Sequence, residues 1–140
     1  MQLYLIRSSF LELVLFAKIG AIGFVIDGGV LMILYHHFQF DHYESRAVSF
    51  SLAVGVTWVL NRIYTFRKYA NENKLKEYFS YFIVQMIGAF VNLFIYVLLI
   101  NASMLMANYP IIPLSVGAGV ALIFNYIAVR SWVFKAGGVK

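Results

Sequence analysis

Long apolar runs alternate with short polar breaks along this chain, and their lengths predict four membrane-spanning helices. The first runs roughly from Leu13 to Tyr35, the second from Ala47 to Tyr64, the third from Tyr78 to Ile100 and the fourth from Ile111 to Trp132. The runs are continuous and do not alternate, which excludes a β-barrel. The second is relatively short and lies between Arg46 and Arg62, both of which can snorkel to the interfaces. Polar links connect the runs: His36 to Arg46, Arg67 to Glu77, and a nearly charge-free stretch from Asn101 to Pro113 that holds both prolines. Residues 1–12 carry Arg7 and Glu12 among apolar residues and show no small-residue cleavage site. They read as an interfacial helix leading into the first span, not as a removable signal. The tail from Ala136 to Lys140 reads as frayed.

Composition agrees with the pattern. The 140 residues are 62% hydrophobic and 12% charged, whereas soluble domains are nearer a quarter charged. Residues 78–129 contain no charged side chain, a gap long enough for two spans of about 20 residues each. The absence of cysteine excludes disulfide and thiolate chemistry. A net charge of +5 need not imply nucleic acid, because the basic residues segregate to one side. Arg7, Lys18, Arg62, Arg67, Lys68, Lys74, Lys76, Arg130, Lys135 and Lys140 fall on one face of the membrane and Arg46 alone on the other. That bias predicts cytoplasmic termini and a cytoplasmic middle loop.

The ends of the second and fourth runs share a signature. Arg62, Tyr64, Phe66 and Arg67 match Arg130, Trp132, Phe134 and Lys135 at a spacing of 68 residues. At 65 residues Gly23 matches Gly88 and Asp27 matches Asn92. The chain therefore reads as two helical hairpins, about residues 13–68 and 78–135, repeated with the same orientation. The signature itself fits a membrane edge, with rings at headgroup level and cations beside them.

Few residues carry candidate chemistry. Asp27 is a carboxylate deep in a span, a position that is costly and usually faces a cavity or partner. It reads either as a substrate-contact or proton-coupling group, or as a structural acid bonded to Asn92, Asn125 or a hydroxyl. Lys18 lies nine residues earlier, about 180° around the helix, and so is no simple partner for it. It reads as a cation reaching the headgroups or a lipid phosphate. Arg62, Arg67, Lys68, Arg130 and Lys135 form a basic edge, with Trp132 among them. They either hold an anionic headgroup, for which the guanidinium fork is suited, or only set topology. Asn61, Asn92 and Asn125 read as interhelical hydrogen bonders that could also meet a sugar hydroxyl. Ser49 with Ala53, Ser51 with Gly55, and Gly117 with Ala121 read as small-residue packing seams. The His-rich loop from His36 to Glu44 has metal-ligating residue types but no recognised spacing, and reads as a solvated connection. No phosphate-cradling Gly-rich loop is present, so neither nucleotide hydrolysis nor a cofactor is expected.

Four short spans, a duplicated aromatic–basic edge, and an acid following Gly20-Ala21-Ile22-Gly23 together resemble the GtrA-like family. The resemblance extends from about Phe16 to Lys135 and is most specific at Leu60–Phe66, at Phe124-Asn125-Tyr126 and at Arg130–Phe134. Tyr64 stands where the family more often has Trp. The resemblance implies a protein of the bacterial cytoplasmic membrane that moves polyprenyl-phosphate-linked sugars across it, with a membrane glycosyltransferase as partner. On that basis the chain is expected to be a lipid-linked-sugar flippase and not an enzyme. The lipid phosphate would meet Arg62, Arg130 or Lys18, along a path lined by Asp27, Asn92 and Asn125. A bundle this small leaves little room for a headgroup, so a homo-oligomer is expected. The alternatives are a membrane scaffold for the glycosyltransferase and, more remotely, a small proton-coupled exporter.

Overall fold

The structure, a computed structural model, describes residues 2–109 and 111–134. The described residues are all-α: α1 (Gln2–His36), α2 (His42–Leu60), α3 (Lys74–Ala102), α4 (Met104–Asn108) and α5 (Ile111–Ala128). Two π-helical turns, Asn61–Thr65 and Val129–Val133, extend α2 and α5, and a 3₁₀ turn covers Arg67–Tyr69. Among the described residues, four segments are long and apolar enough to cross a membrane: Ser9–His36, His42–Thr65, Lys74–Ala102 and Ile111–Val133. The protein is thus an all-helical polytopic membrane protein in composition and element length. Its outward surface fits that solvent, since large side chains such as Phe24, Phe90 and Phe94 are 64–78% exposed.

The element ends differ from the sequence reading in instructive ways. No break separates residues 1–12 from the first span: α1 runs as a single helix from Gln2. The second span is not short, because α2 starts at His42 and its π turn carries it to Thr65. Asp41 makes that early start possible. Its carboxylate accepts from the amides of Tyr43 at 2.7 Å and Glu44 at 2.8 Å, satisfying two helix-end donors. The link around the prolines is also not wholly irregular, since Ser103 caps the short helix α4 through its hydroxyl.

The chain divides into two compact units, Met1–Glu72 and Asn73–Lys140. Unit one is an antiparallel pair of α1 and α2, and unit two an antiparallel pair of α3 and α5. In unit one Ser45, Ser49, Ala53, Thr57, Asn61 and Thr65 form a buried row along the second helix, one every fourth residue, with Val54 buried beside it. Small side chains along an i, i+4 row form a shallow ridge that lets the facing backbone approach. In unit two the buried row is Pro113, Gly117, Ala121, Val129 and Val133, with half-buried Asn125 completing it. The facing helix contributes Phe16, Ile19 and Gly23 in unit one, and Tyr81, Val84 and Gly88 in unit two.

Three glycines mark the closest approaches. A Cβ at Gly23 would fall on the Thr57 methyl, one at Gly88 on the Asn125 carboxamide, and one at Gly117 on Asn92. These are the seams that hold each hairpin together. The Ser51–Gly55 row is not among them: Ser51 is exposed and Gly55 has open space beside it. Gly20 likewise meets nothing, so of the first Gly-x-x-Gly only Gly23 is needed for packing.

The glycines should therefore differ in their tolerance of alanine. At Gly117 the added Cβ meets the main-chain oxygen of Asn92 at 2.8 Å, which cannot swing aside, and Gly117→Ala should cost about 1–3 kcal/mol. At Gly88 the obstacle is the far end of a side chain, so Gly88→Ala should cost less. Gly119 has nothing within 4 Å, and Gly119→Ala should be neutral or stabilise by up to about 1 kcal/mol. Thermal unfolding in detergent orders the three.

Candidate functional site

In unit one the polar residues gather at two depths. The deeper group centres on Asp27. Its carboxylate accepts a hydrogen bond from Ser49 Oγ at 2.7 Å and forms an ion pair with Arg46 at 2.5 Å. The Asp27 side chain is 14% exposed, whereas that of Arg46 is 58% exposed. The partners anticipated from the sequence were Asn92, Asn125 or a hydroxyl, and the structure supplies the hydroxyl. It also supplies Arg46, one of the two arginines read as able to snorkel to an interface. A carboxylate held by a guanidinium and a hydroxyl in an apolar layer has its charge answered locally. Lys18 is exposed and stands apart from this group on the surface of α1.

The second group is the aromatic–basic edge. Asn61 is 1% exposed and its Oδ1 accepts from Thr65 Oγ at 2.9 Å, bridging the π turn. The turn closes with the Phe66 amide bonded to the Asn61 carbonyl at 2.7 Å, and Phe66 is fully buried beside Phe16, with ring centroids 6.1 Å apart. That wider turn holds Arg62 half-buried, with its guanidinium 6.0 Å from the Trp58 ring centroid and Nη2 donating to the Asn71 carbonyl at 2.9 Å. Tyr64, Arg67 and Lys68 point outward. Arg62 lies 16 residues beyond Arg46 on the same helical run, or about 24 Å. The edge and the Asp27 group are thus at opposite ends of unit one.

Unit two has the same plan with different chemistry. Its π turn, Val129–Val133, closes with the Phe134 amide on the Val129 carbonyl at 3.1 Å, and Phe134 is fully buried. Arg130 is half-buried within that turn and Trp132 is 60% exposed. Lys135 lies outside the described residues. Asn125 Nδ2 donates to Gln85 Oε1 at 3.2 Å. The Oδ1 atoms of Asn92 and Asn125 are buried without a conventional partner. Each instead faces a glycine, Gly117 and Gly88 respectively. The Cα–H that takes the place of a Cβ points at the amide oxygen, the weak hydrogen bond common where helices touch.

The contacts in the two units share a register. Gly23 meets Thr57 and Gly88 meets Asn125; Asp27 meets Ser49 and Asn92 meets Gly117. First-helix members of these pairs stand 65 residues apart, second-helix members 68, and the π turns also stand 68 apart. Several of these residues escaped the sequence reading. Gln85 was not singled out, and Ser49 was read only as a small residue. Glu77, 1% exposed at the start of α3, was read as the end of a loop. A signal for it existed, since Glu77 stands 65 residues after Glu12. Among the described residues no group of three or more His, Cys, Asp or Glu is placed to hold a metal ion.

Fold and site together define a small helical membrane protein with a cationic, aromatic edge on each of two hairpins. The family described as GtrA/DPMS, transmembrane domain, matches residues 15–134, and the chain belongs to it. No curated protein gives a match. Membership carries a general role in handling lipid-linked sugars.

The Asn61–Thr65 bridge has a measurable consequence. Asn61→Leu removes the acceptor and leaves a buried hydroxyl unanswered, at a cost of about 1–3 kcal/mol. Thr65→Val in the same background should then cost nothing further. A double-mutant cycle read by thermal unfolding checks both values.

Proposed function

We propose that this chain moves a polyprenyl-phosphate-linked monosaccharide across a bacterial cytoplasmic membrane, for glycosylation of cell-surface polysaccharide. The observation that carries the reading is the π turn at each edge. It holds an arginine half-buried between an aromatic belt and the helix interior, in a family that handles lipid-linked sugars. A π turn directs a side chain away from the α-helical path and is frequent at functional sites. A guanidinium is suited to bidentate contact with phosphate oxygens, and these two stand at the ends of their spans.

In this reading the two units are duplicated hairpins of like orientation, with both termini cytoplasmic. Arg62 and Arg130 take the lipid phosphate at the cytoplasmic side, with Lys18, Arg67 and Lys135 raising the local positive potential. Asn61 sets the shape of the turn that aims Arg62, and the Tyr64 and Trp132 rings seat each edge in the interface. Asp27, Asn92 and Asn125 supply polar groups at greater depth for the sugar. A membrane glycosyltransferase charges the lipid, and copies of this chain assemble to enclose the headgroup. The chain performs no covalent chemistry, and the lipid moves down its own gradient or in exchange for a proton.

Arg62→Ala tests the phosphate role. In cells it should abolish surface glycosylation while the protein still reaches the membrane and the sugar-charged lipid still forms. Arg62→Lys should retain only part of the activity, because it keeps the charge and loses the fork. Surface glycosylation at the wild-type level in Arg62→Ala would remove the phosphate role. Loss of lipid charging instead of lipid display would favour a scaffold that supports the glycosyltransferase.

A further inference from the structure

At the end of unit one away from the aromatic–basic edge, residues of α1 and α2 line a groove of about 470 Å³. Leu31, Met32 and Tyr35 line it together with Arg46, His36 and His42, and its surface is almost wholly apolar. Ser45 also lines it, is 0% exposed, and holds a hydroxyl with no hydrogen-bond partner. The Tyr35 and His42 rings stack at 4.4 Å with an interplanar angle of 24°, so this wall is flat and ordered.

Arg46 is the key to what this cavity receives. A guanidinium has five N–H donors, and the Asp27 pair engages Nη1. The side chain is 58% exposed, so further donors face outward beside an apolar groove. An oxyanion joined to a hydrocarbon chain matches both the exposed guanidinium and the apolar groove beside it. One groove between two helices takes one chain, which fits a single-chain lipid better than a diacyl one.

We propose that this groove is a second lipid-phosphate site, taking the phosphate of a polyprenyl phosphate at Arg46 and its first isoprene units against Leu31, Met32 and Tyr35. The site lies about 24 Å from Arg62 along the helix and so serves the opposite leaflet. For the identity of the lipid the proposal rests on the translocation reading. Asp27 then has a defined part: it shares Arg46 with the phosphate and keeps the guanidinium from holding the lipid too tightly.

The test is photolabelling of the purified full chain in nanodiscs, using polyprenyl phosphate with a diazirine on its first isoprene unit and mapping adducts by mass spectrometry. Adducts are expected on residues 31–35. They should fall about tenfold in Arg46→Gln, the loss expected when a charge-assisted bond disappears. Leu31→Trp fills the groove without touching Arg46 and should give a similar fall. Asp27→Asn should raise the labelling, because it frees the guanidinium, whereas a purely structural ion pair would lower it or leave it unchanged. Arg62→Ala should leave these adducts in place. Absence of adducts at 31–35, or labelling insensitive to both Arg46→Gln and Leu31→Trp, would overturn the site. Equal labelling by the matching polyprenol would overturn the phosphate contact, and equal labelling by a diazirine phosphatidylglycerol would overturn the choice of lipid. Because labelling is read without transport, a chain that binds here and moves nothing would refute translocation alone.

Discussion

A carboxylate placed in a hydrocarbon layer must be answered by its neighbours, and the account of this protein depends on how Asp27 is answered. Water is not at hand to solvate it, so the protein supplies one hydroxyl and one guanidinium from the facing helix. Those partners can reach it only because the second helix is lined with small residues. Ser45, Ser49, Ala53 and Thr57 keep that face shallow, and Gly23 removes the one side chain that would hold the helices apart. Close packing and polar pairing are therefore one design. A bulky residue in the row would separate the backbones and strand the acid together.

At the matching positions the second unit uses amides where the first has a carboxylate. Where unit one has Asp27 against Ser49, unit two has Asn92 against Gly117, and where unit one has Thr57, unit two has Asn125 bonded to Gln85. An amide is far cheaper to bury than a carboxylate and asks less of its neighbours. Two of these amide oxygens rely on glycine Cα–H groups. The two hairpins thus share a register, and the Asp27–Arg46 ion pair of unit one is matched in unit two by amide and glycine contacts. If the hairpins arose by duplication, as proposed, one copy kept the packing while the other acquired or retained the charge.

Much of this was legible in the sequence, and the parts that were not share a cause. Four spans could be read because hydropathy depends on local composition, which Leu13–Tyr35 and its three counterparts display directly. The 65- and 68-residue spacings were also readable, since they compare the chain with itself. Pairing between helices was not, because it depends on register across an interface that a linear pattern does not encode. Arg46 looked like an interfacial cation until α2 was seen to begin at His42, which sets Arg46 a full turn inside the helix and against Asp27. The π turns were invisible for a similar reason. Nothing in Asn61–Thr65 or Val129–Val133 forbids an ordinary α-helix, and it is the burial of Phe66 and Phe134 beyond them that accompanies the wider turn. Ser51 and Gly55 show the converse error, a small-residue row that faces no partner within its hairpin.

In the proposed function this chain alone carries a charged lipid headgroup across the bilayer. The direct measurement is translocation of a fluorescent polyprenyl-phosphate sugar in liposomes that contain only the purified protein. The account predicts that the labelled lipid reaches the opposite leaflet faster than in protein-free liposomes, and that the acceleration disappears with Arg62→Ala. Crossing at the protein-free rate, or acceleration only when a glycosyltransferase is added, would contradict it.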